Sequence, residues 1–172
     1  MCSRTRYWEK KVPSAATAIC RMNSIDVTED LWPEGTADHI GFTGTSLAFD
    51  PGPLIAHLRA RPGRVSPPAG LADPEWVVSS VTVLEVWRGA RDPEFEATSA
   101  LVAACTVIDL TRDLAEQAGR LCVRMRMAGR MLGAPDAAIA ATALAVGARL
   151  WTTNAKDLSD VPGLAVLPVV LT

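Results

Sequence analysis

From Ser46 to the end of the chain, short apolar runs alternate with segments of helical period, and this alternation restricts the fold more than any other feature. Strands are predicted at 46–49, 76–79, 105–110, 149–153 and 164–169. Helices are expected between them, and strands joined by helices form parallel βαβ units. We therefore predict an α/β protein, a three-layer α/β/α sandwich with a mainly parallel sheet.

The predicted helices differ in how their apolar residues are distributed. The helix over 79–88 is expected to turn Val81, Leu84 and Trp87 inward, and another is expected over 93–104, with Pro93 in its first turn. Thr111 should cap a helix with one apolar face, formed by Leu114, Ala118, Leu121, Cys122 and Met125. The helix over 136–146 is apolar nearly all round, which indicates central burial, and the strand over 105–110 also has a composition suited to burial.

Composition and charge exclude several classes of protein. The chain has 172 residues, enough for one domain, and 49% of them are hydrophobic, which excludes an intrinsically disordered protein. A net charge of −2 excludes a strongly basic coat for nucleic acid. The four cysteines show no CxxC spacing, so we expect neither a disulfide framework nor a zinc site, and predict a reduced, cytoplasmic protein. No apolar stretch reaches membrane-spanning length, and no signal peptide is evident.

The first 44 residues differ from the rest of the chain. They are polar and mixed in charge, and they lack a sustained helical or strand period. We predict an N-terminal extension over 1–44, with a composition that allows partial disorder, and a folded domain over 45–172. Three explanations of the extension stay open: a mis-assigned start, a disordered tail, or a segment that covers the functional cleft.

Several polar residues follow predicted strands, where open parallel sheets place their ligand crevice. They are Asp50, Glu85, Asp136, Asn154 and Asp157. Ser79 and Thr82 are expected to share a helix face with Glu85. Each residue alone has an ordinary explanation, as a helix cap, a first-turn acid, a surface charge or a turn residue. Their joint placement after separate strands favours a functional site.

Three carboxylates converging on one crevice would repel one another and raise each other's pKa values. A hard divalent cation removes that repulsion, and carboxylate and amide oxygens are ligands suited to Mg²⁺ or Mn²⁺. Such an ion can activate water for attack on phosphorus. The pattern therefore indicates a metal-dependent hydrolase.

Four motifs, in order, resemble those of PIN-domain ribonucleases of the VapC toxin type. They are F-D-P-G-P-L-I-A around Asp50, S-S-V-T-V-L-E ending at Glu85 with Gly89 beyond it, P-D-A-A-I-A-A-T-A from Pro135, and T-T-N-A-K-D from Thr152. The third motif is the most specific. The resemblance covers roughly three quarters of the chain, from Ser46 onward.

The resemblance implies an Mg²⁺- or Mn²⁺-dependent endoribonuclease, the toxin of a toxin–antitoxin pair. Its catalytic residues would be Asp50, Glu85, Asp136 and Asn154. Its metal ligands would be Asp50, Glu85, Asp136 and Asp157. Ser79, Thr82 and Thr152 would support the site. The resemblance further implies RNA as substrate, a cognate antitoxin protein as partner, and a homodimer.

Pro51 and the extension both depart from the family pattern, because members usually have Thr or Ser after the first Asp and begin near the first strand. Pro51 removes a hydroxyl and a backbone N–H beside the first carboxylate. The alternative function is therefore a catalytically impaired PIN-fold binding module for antitoxin or RNA. A third is a metal-dependent phosphoesterase acting on DNA ends or small phosphate esters.

Arginines form small groups outside these motifs. One group, Arg59, Arg61 and Arg64, follows the helix predicted after the first strand, where Leu54, Ile55 and Leu58 suit one face. Two pairs lie one helical turn apart: Arg120 and Arg124; Arg126 and Arg130. Solvated surface charge is one explanation. Contact with phosphates, or with an acidic antitoxin tail, is the other.

Overall fold

The computed structural model describes residues 46–59 and 74–169. The predicted extension over 1–44 and most of the Pro- and Arg-rich loop, including Arg61 and Arg64, lie outside these ranges. The part that is described contains a five-stranded sheet with helices on both faces.

All strand pairs in this sheet are parallel. The strands are β1 (Leu47–Phe49), β2 (Trp76–Ser79), β3 (Thr106–Ile108), β4 (Arg149–Thr152) and β5 (Val166–Pro168). Their order across the sheet is β3-β2-β1-β4-β5, so β1 is central. The predicted α/β/α sandwich is confirmed, and each strand lies within its predicted range or matches it.

Helices connect the strands. They are α1 (Pro51–Arg59), α2 (Ser80–Gly89), α3 (Phe95–Ala103), α4 (Arg112–Met127), α5 (Ala134–Ala145) and the short α6 (Ala155–Leu158). The prediction that α3 starts at Pro93 is wrong. Pro93 lies in a 3-10 helix at Asp92–Glu94, and the α-helix begins at Phe95. Within the described ranges, no helix is long and apolar enough to span a membrane.

The two faces of the sheet bury different side chains. Ala48, Val77 and Leu150 join one core cluster together with α4 and α5. Phe49 and Trp151 belong to the other, beneath α1 and α2, where their rings lie 5.4 Å apart in an edge-to-face arrangement. Because adjacent strand residues alternate between faces, both layers of helices are held by the same short strands.

Helices α4 and α5 follow the predicted pattern. The Thr111 hydroxyl caps α4 by accepting a hydrogen bond from the Leu114 N–H, at 3.3 Å. The predicted apolar face of α4 is buried, apart from Cys122, which is half-buried. Helix α5 is buried along most of its length and consists largely of alanine, which favours helix and allows close packing.

Two predictions about burial are wrong. Leu84 in α2 is 65% exposed and Trp87 is also exposed, whereas Thr82 and Val86 are buried. Helix α2 has apolar residues on most of its own faces, so the periodicity of its sequence did not identify the face that is buried. Strand β3 is an edge strand that pairs only with β2, and none of its residues is fully buried, so the burial expected over 105–110 is not found.

Candidate functional site

Asp50 occupies the carboxyl end of the central strand. Asp50 directly follows β1 in the chain, and the residue is only 5% exposed. Its backbone N–H donates to the Trp151 carbonyl at 3.1 Å, which fixes it against β4. The pKa of Asp50 is raised to about 6. Burial is the largest cause, the hydrogen bond from Thr152 acts in the opposite direction, and the carboxylates of Asp136 and Glu85 add to the rise.

Thr152 links Asp50 to the turn after β4. Its hydroxyl donates to Asp50 Oδ2 at 2.7 Å and accepts from the Asn154 backbone N–H at 2.8 Å. Thr152 is fully buried, so water does not compete readily for these bonds. The hydroxyl thus holds one carboxylate oxygen in place at the carboxyl edge of the sheet.

Two prolines limit the other donors available to Asp50. Helix α1 starts at Pro51, where a proline is favoured because the first N–H groups of a helix lack intrahelical partners. Neither Pro51 nor Pro53 can donate a backbone hydrogen bond to the preceding carboxylate. Within the described ranges, the Asp50 carboxylate accepts a single side-chain hydrogen bond, from Thr152.

Gly52 is a site contact that the sequence did not reveal. A Cβ atom at this position would overlap the Thr153 hydroxyl, so α1 and the end of β4 approach closely only because residue 52 lacks a side chain. The Pro-Gly-Pro sequence predicts a turn, and this prediction is wrong because α1 already begins at Pro51. No local signal identifies Thr153 as its neighbour.

Asp136 lies in the first turn of α5, after Pro135. Burial raises the pKa of Asp136, and the carboxylate of Asp157 raises it further. Asp157 is exposed on α6, and its backbone N–H donates to the Asn154 carbonyl at 3.3 Å. Asn154 precedes α6 and makes no capping hydrogen bond with its side chain. These residues continue the acidic region from the centre of the sheet toward its surface.

Glu85 is half-buried on α2, and Arg88 Nη2 lies 3.8 Å from its Oε1. The predicted supporting residues Ser79 and Thr82 make hydrogen bonds that hold α2 in place. Ser79 caps α2 by accepting from the Val81 N–H at 3.2 Å, and the buried Thr82 hydroxyl donates to the Phe49 carbonyl at 3.1 Å. Thr82 therefore ties α2 to the residue immediately before Asp50.

The predicted acids are electrostatic neighbours, but they are not a closed metal cage. Across residues 46–59 and 74–169, no group of three or more His, Cys, Asp or Glu side chains is gathered closely enough to hold a metal ion. Electrostatic effects on a pKa extend over several ångströms, whereas direct ligands of Mg²⁺ lie at roughly 2.1 Å. Side-chain rotation or bridging water would be needed for joint binding.

The chemistry of the donors nevertheless fits a hard cation. Asp50 and Asp136 take part in none of the ion pairs seen in the described ranges, and both have raised pKa values. The nearby donors are oxygens of carboxylate, hydroxyl and amide groups, which Mg²⁺ and Mn²⁺ prefer. A buried acid surrounded by like charges would be stabilised by such an ion.

Comparison with known proteins identifies the family. The PIN domain model matches residues 49–164. Ribonuclease VapC19 of Mycobacterium tuberculosis is 34% identical over 122 residues, which cover 70% of this chain and 93% of that protein.

Solved structures with a similar fold include a toxin–antitoxin complex and a DNA-bound VapBC complex. The toxin–antitoxin complex from Klebsiella pneumoniae has a chain 28% identical to this one, with a TM-score of 0.56, covering 71% of this chain and 96% of that chain. DNA-bound VapBC from Salmonella typhimurium gives a TM-score of 0.64 at 20% identity, covering 72% and 97%. The chain belongs to the PIN-domain family and is a VapC-type member of it.

Proposed function

We propose that the protein is a metal-dependent endoribonuclease that hydrolyses phosphodiester bonds in RNA as the toxin of a toxin–antitoxin pair. The observation that carries the proposal is the buried Asp50, whose pKa is raised to about 6 beside the carboxylates of Asp136 and Glu85. Membership in the family of Ribonuclease VapC19 supports the choice of RNA as substrate.

Asp50, Glu85, Asp136 and Asp157 would hold the metal, directly or through water. When bound, Mg²⁺ or Mn²⁺ would supply Lewis acidity, lowering the pKa of water and stabilising charge on the phosphate. Carboxylate oxygens together with bound water suit a site of this kind, since Mg²⁺ is commonly bound through one or two carboxylates and keeps several waters.

The protein's own groups would orient the reaction. Thr152 holds Asp50 Oδ2 through its hydroxyl, which leaves the other carboxylate oxygen free of that bond. Asn154 follows β4 at the same edge of the sheet, and its side-chain amide makes no capping bond. We infer that this amide contacts the substrate phosphate.

Single-stranded or looped RNA suits this site better than a duplex. Side chains cannot enter the deep, narrow major groove of an RNA duplex, whereas the bases and backbone of single strands and loops are accessible. A cognate antitoxin and a second toxin copy are the proposed protein partners, because similar chains occur in toxin–antitoxin complexes.

The direct test is RNA cleavage in Mg²⁺ or Mn²⁺ by the parent protein and by the Asp136→Asn variant. Loss of one site carboxylate should reduce cleavage by roughly 100-fold or more if it binds the metal. Asp92→Asn, a change at an exposed acid in the 3-10 helix, is the matched control and should leave cleavage unchanged. Equal cleavage by the parent and Asp136→Asn would contradict the mechanism.

A catalytically impaired binding module is the second candidate, and the prolines of α1 favour it. Asp50 receives no hydrogen bond from Pro51 or Pro53, so its ionised form has less support than it would have beside backbone donors. Pro51→Thr restores an N–H and a hydroxyl at this position. If Pro51→Thr cleaves RNA or binds Mn²⁺ tightly and the parent does neither, the parent is a binding module.

A further inference from the structure

Helix α4 has an exposed face outside the acidic site, the name used here for the site formed by Asp50, Glu85, Asp136 and Asp157. Met127 and Met131 are each 84% exposed, more than any other large hydrophobic side chain in the described ranges, and Val123 is 45% exposed. Val123 and Met127 are one helical turn apart, so they share a face, and Met131 lies just beyond the helix. We call Val123, Met127 and Met131 with the arginines around them the methionine face.

The methionine face is strongly basic. Residues 119–133 contain four arginines and no acidic residue: Arg120, Arg124, Arg126 and Arg130. Arg124 and Arg126 are exposed, and Arg130 forms an ion pair with Asp160. Contiguous exposed apolar side chains rimmed by charge are typical of interaction surfaces, and methionine adapts well to a partner. The partner expected here is an acidic, partly apolar protein segment.

The extension contains a segment of this composition. Residues 25–38 contain five acids and no Lys or Arg: Asp26, Glu29, Asp30, Glu34 and Asp38. The same residues contribute four large apolar side chains: Ile25, Val27, Leu31 and Trp32. The preceding residues, 1–24, contain five Lys or Arg and one acid, so charge in the extension is divided between two regions. Only the second region complements the methionine face.

We propose that residues 25–38 dock on the methionine face of the same chain. Carboxylates of the segment would pair with Arg124 and Arg126, and its apolar side chains would cover Met127 and Met131. Eight residue steps separate Asp38 from Ser46 and can span about 27 Å. A folded unit of about 100 residues has a radius of gyration near 13 Å, so a tether of this length is comparable to the dimensions of the domain and permits contact with its surface.

Two other pairings fit less well. The exposed apolar region around Leu84, Trp87 and Phe95 offers no excess of positive charge to the segment. Its arginines are already paired with Glu85 and Glu94, and it carries two further acids, Asp92 and Glu96. RNA is a poorer occupant of the methionine face, because residues 119–133 include no aromatic side chain on which a base could stack. The docking proposal does not depend on the proposed nuclease function.

Methionine oxidation in the full chain tests the proposal. Peroxide would be added at low salt, and the oxidation rate of each of the five methionines would be followed by peptide mass spectrometry. Met127 and Met131 should react about fivefold more slowly in the parent than in the variant Asp26→Asn, Glu29→Gln, Asp30→Asn, the ratio expected for about 80% docking. Moderate salt should abolish the difference by screening.

The chain offers internal and matched controls. Met125 is 3% exposed and should stay protected in every variant, which reports that the domain is folded. The variant Asp92→Asn, Glu96→Gln, Asp109→Asn removes three exposed acids elsewhere and should keep the protection. Arg124→Glu with Arg126→Glu should remove it from the other side of the contact.

The outcomes separate the possible occupants. Equal rates for Met127 and Met131 in the parent and the acid-neutralised variant, with no dependence on salt, would overturn the proposal. Protection that increases with protein concentration and persists in that variant would assign the face to a second copy. Protection seen only on addition of single-stranded RNA would assign it to nucleic acid, and either result would also overturn docking by residues 25–38.

Discussion

The acidic site has a buried centre and an exposed rim, and the two parts differ in the free-energy cost of an ionised carboxylate. At the centre, Asp50 is enclosed and held by Thr152, and burial raises its pKa to about 6. At the rim, Asp157 is exposed to solvent and Glu85 is half-buried beside Arg88. Charge at the centre costs folding free energy, whereas charge at the rim costs little.

This difference explains how the site can attract a cation without depending on a preformed cage. A buried acid favours any group that neutralises it, whether a proton or a divalent ion. The rim acids add negative potential and ligand oxygens without a comparable penalty. We therefore expect loss of the central carboxylate to raise stability and abolish activity, and loss of a rim carboxylate to change activity alone.

The largest expected effect is that of Asp50→Asn. Because the folded pKa is raised from 3.8 to about 6, the folded protein retains a proton that the unfolded chain releases. The contribution of Asp50 to the free energy of unfolding is therefore greatest below pH 4 and is lost as the pH rises through 6. At about 1.4 kcal/mol per unit, the ionised group costs up to about 3 kcal/mol above pH 6.

Asp50→Asn should remove that cost and abolish RNA cleavage. In urea unfolding at pH 8, the variant should be more stable than the parent by about 1–3 kcal/mol, and the gain should disappear near pH 4. Asp92→Asn is the control for loss of one exposed acid. A variant less stable than the parent at pH 8 would show that the Asp50 carboxylate is not strained by burial.

Thr152→Val should have the next largest effect, because it removes the hydroxyl bond to Asp50 with little change in volume. The pKa of Asp50 should rise further, since that bond lowers it, and the acidic limb of the cleavage–pH profile should move to higher pH. A lost hydrogen bond to a charged group should destabilise the protein by about 1.5–3 kcal/mol at pH 8.

Thr152→Ser is the matched control for Thr152→Val, because it keeps the hydroxyl. It should preserve the parent pH profile even if the lost methyl group lowers stability. Identical profiles for the Val and Ser variants would mean that the hydroxyl does not set the ionisation of Asp50.

Asp157→Asn should have the smallest effect. Removal of this exposed charge should lower cleavage by about tenfold, as expected for a residue that acts through a neighbouring ligand, while stability changes by less than about 0.5 kcal/mol. The pKa of Asp136 should fall, because Asp157 raises it. Cleavage rates test the expected loss of activity, and unfolding curves test the expected constant stability. A large loss of stability in Asp157→Asn would contradict the proposed difference between rim and centre.

The sequence predicted most of the fold because its signals are local. Thr111 caps α4, the alanine-rich helix α5 is buried along most of its length, and β2 has the predicted bounds. The inward face of α2 was not predictable, since Val81, Val83, Leu84, Val86 and Trp87 are all apolar. The exposure of β3 depends on its position at the sheet edge, which no short window of sequence reports.

The site was predictable in its acids but not in its contacts. Asp50, Glu85 and Asp136 follow strands or begin helices, which a sequence pattern can indicate. The bond from Thr152 to Asp50 joins residues 102 positions apart, and the close approach of Gly52 to Thr153 also depends on tertiary packing. The pKa of Asp50 follows from that packing, because burial is its largest cause.

Binding of Mn²⁺ to the full chain tests the central claim most directly. We expect saturable binding in calorimetry at pH 8, accompanied by a rise in Tm, because an ion bound to the folded state stabilises it. Asp50→Asn and Asp136→Asn should each lose both signals, and Asp92→Asn should retain them. Binding of equal strength in the parent and in both site variants would contradict a shared acidic pocket that a divalent ion stabilises.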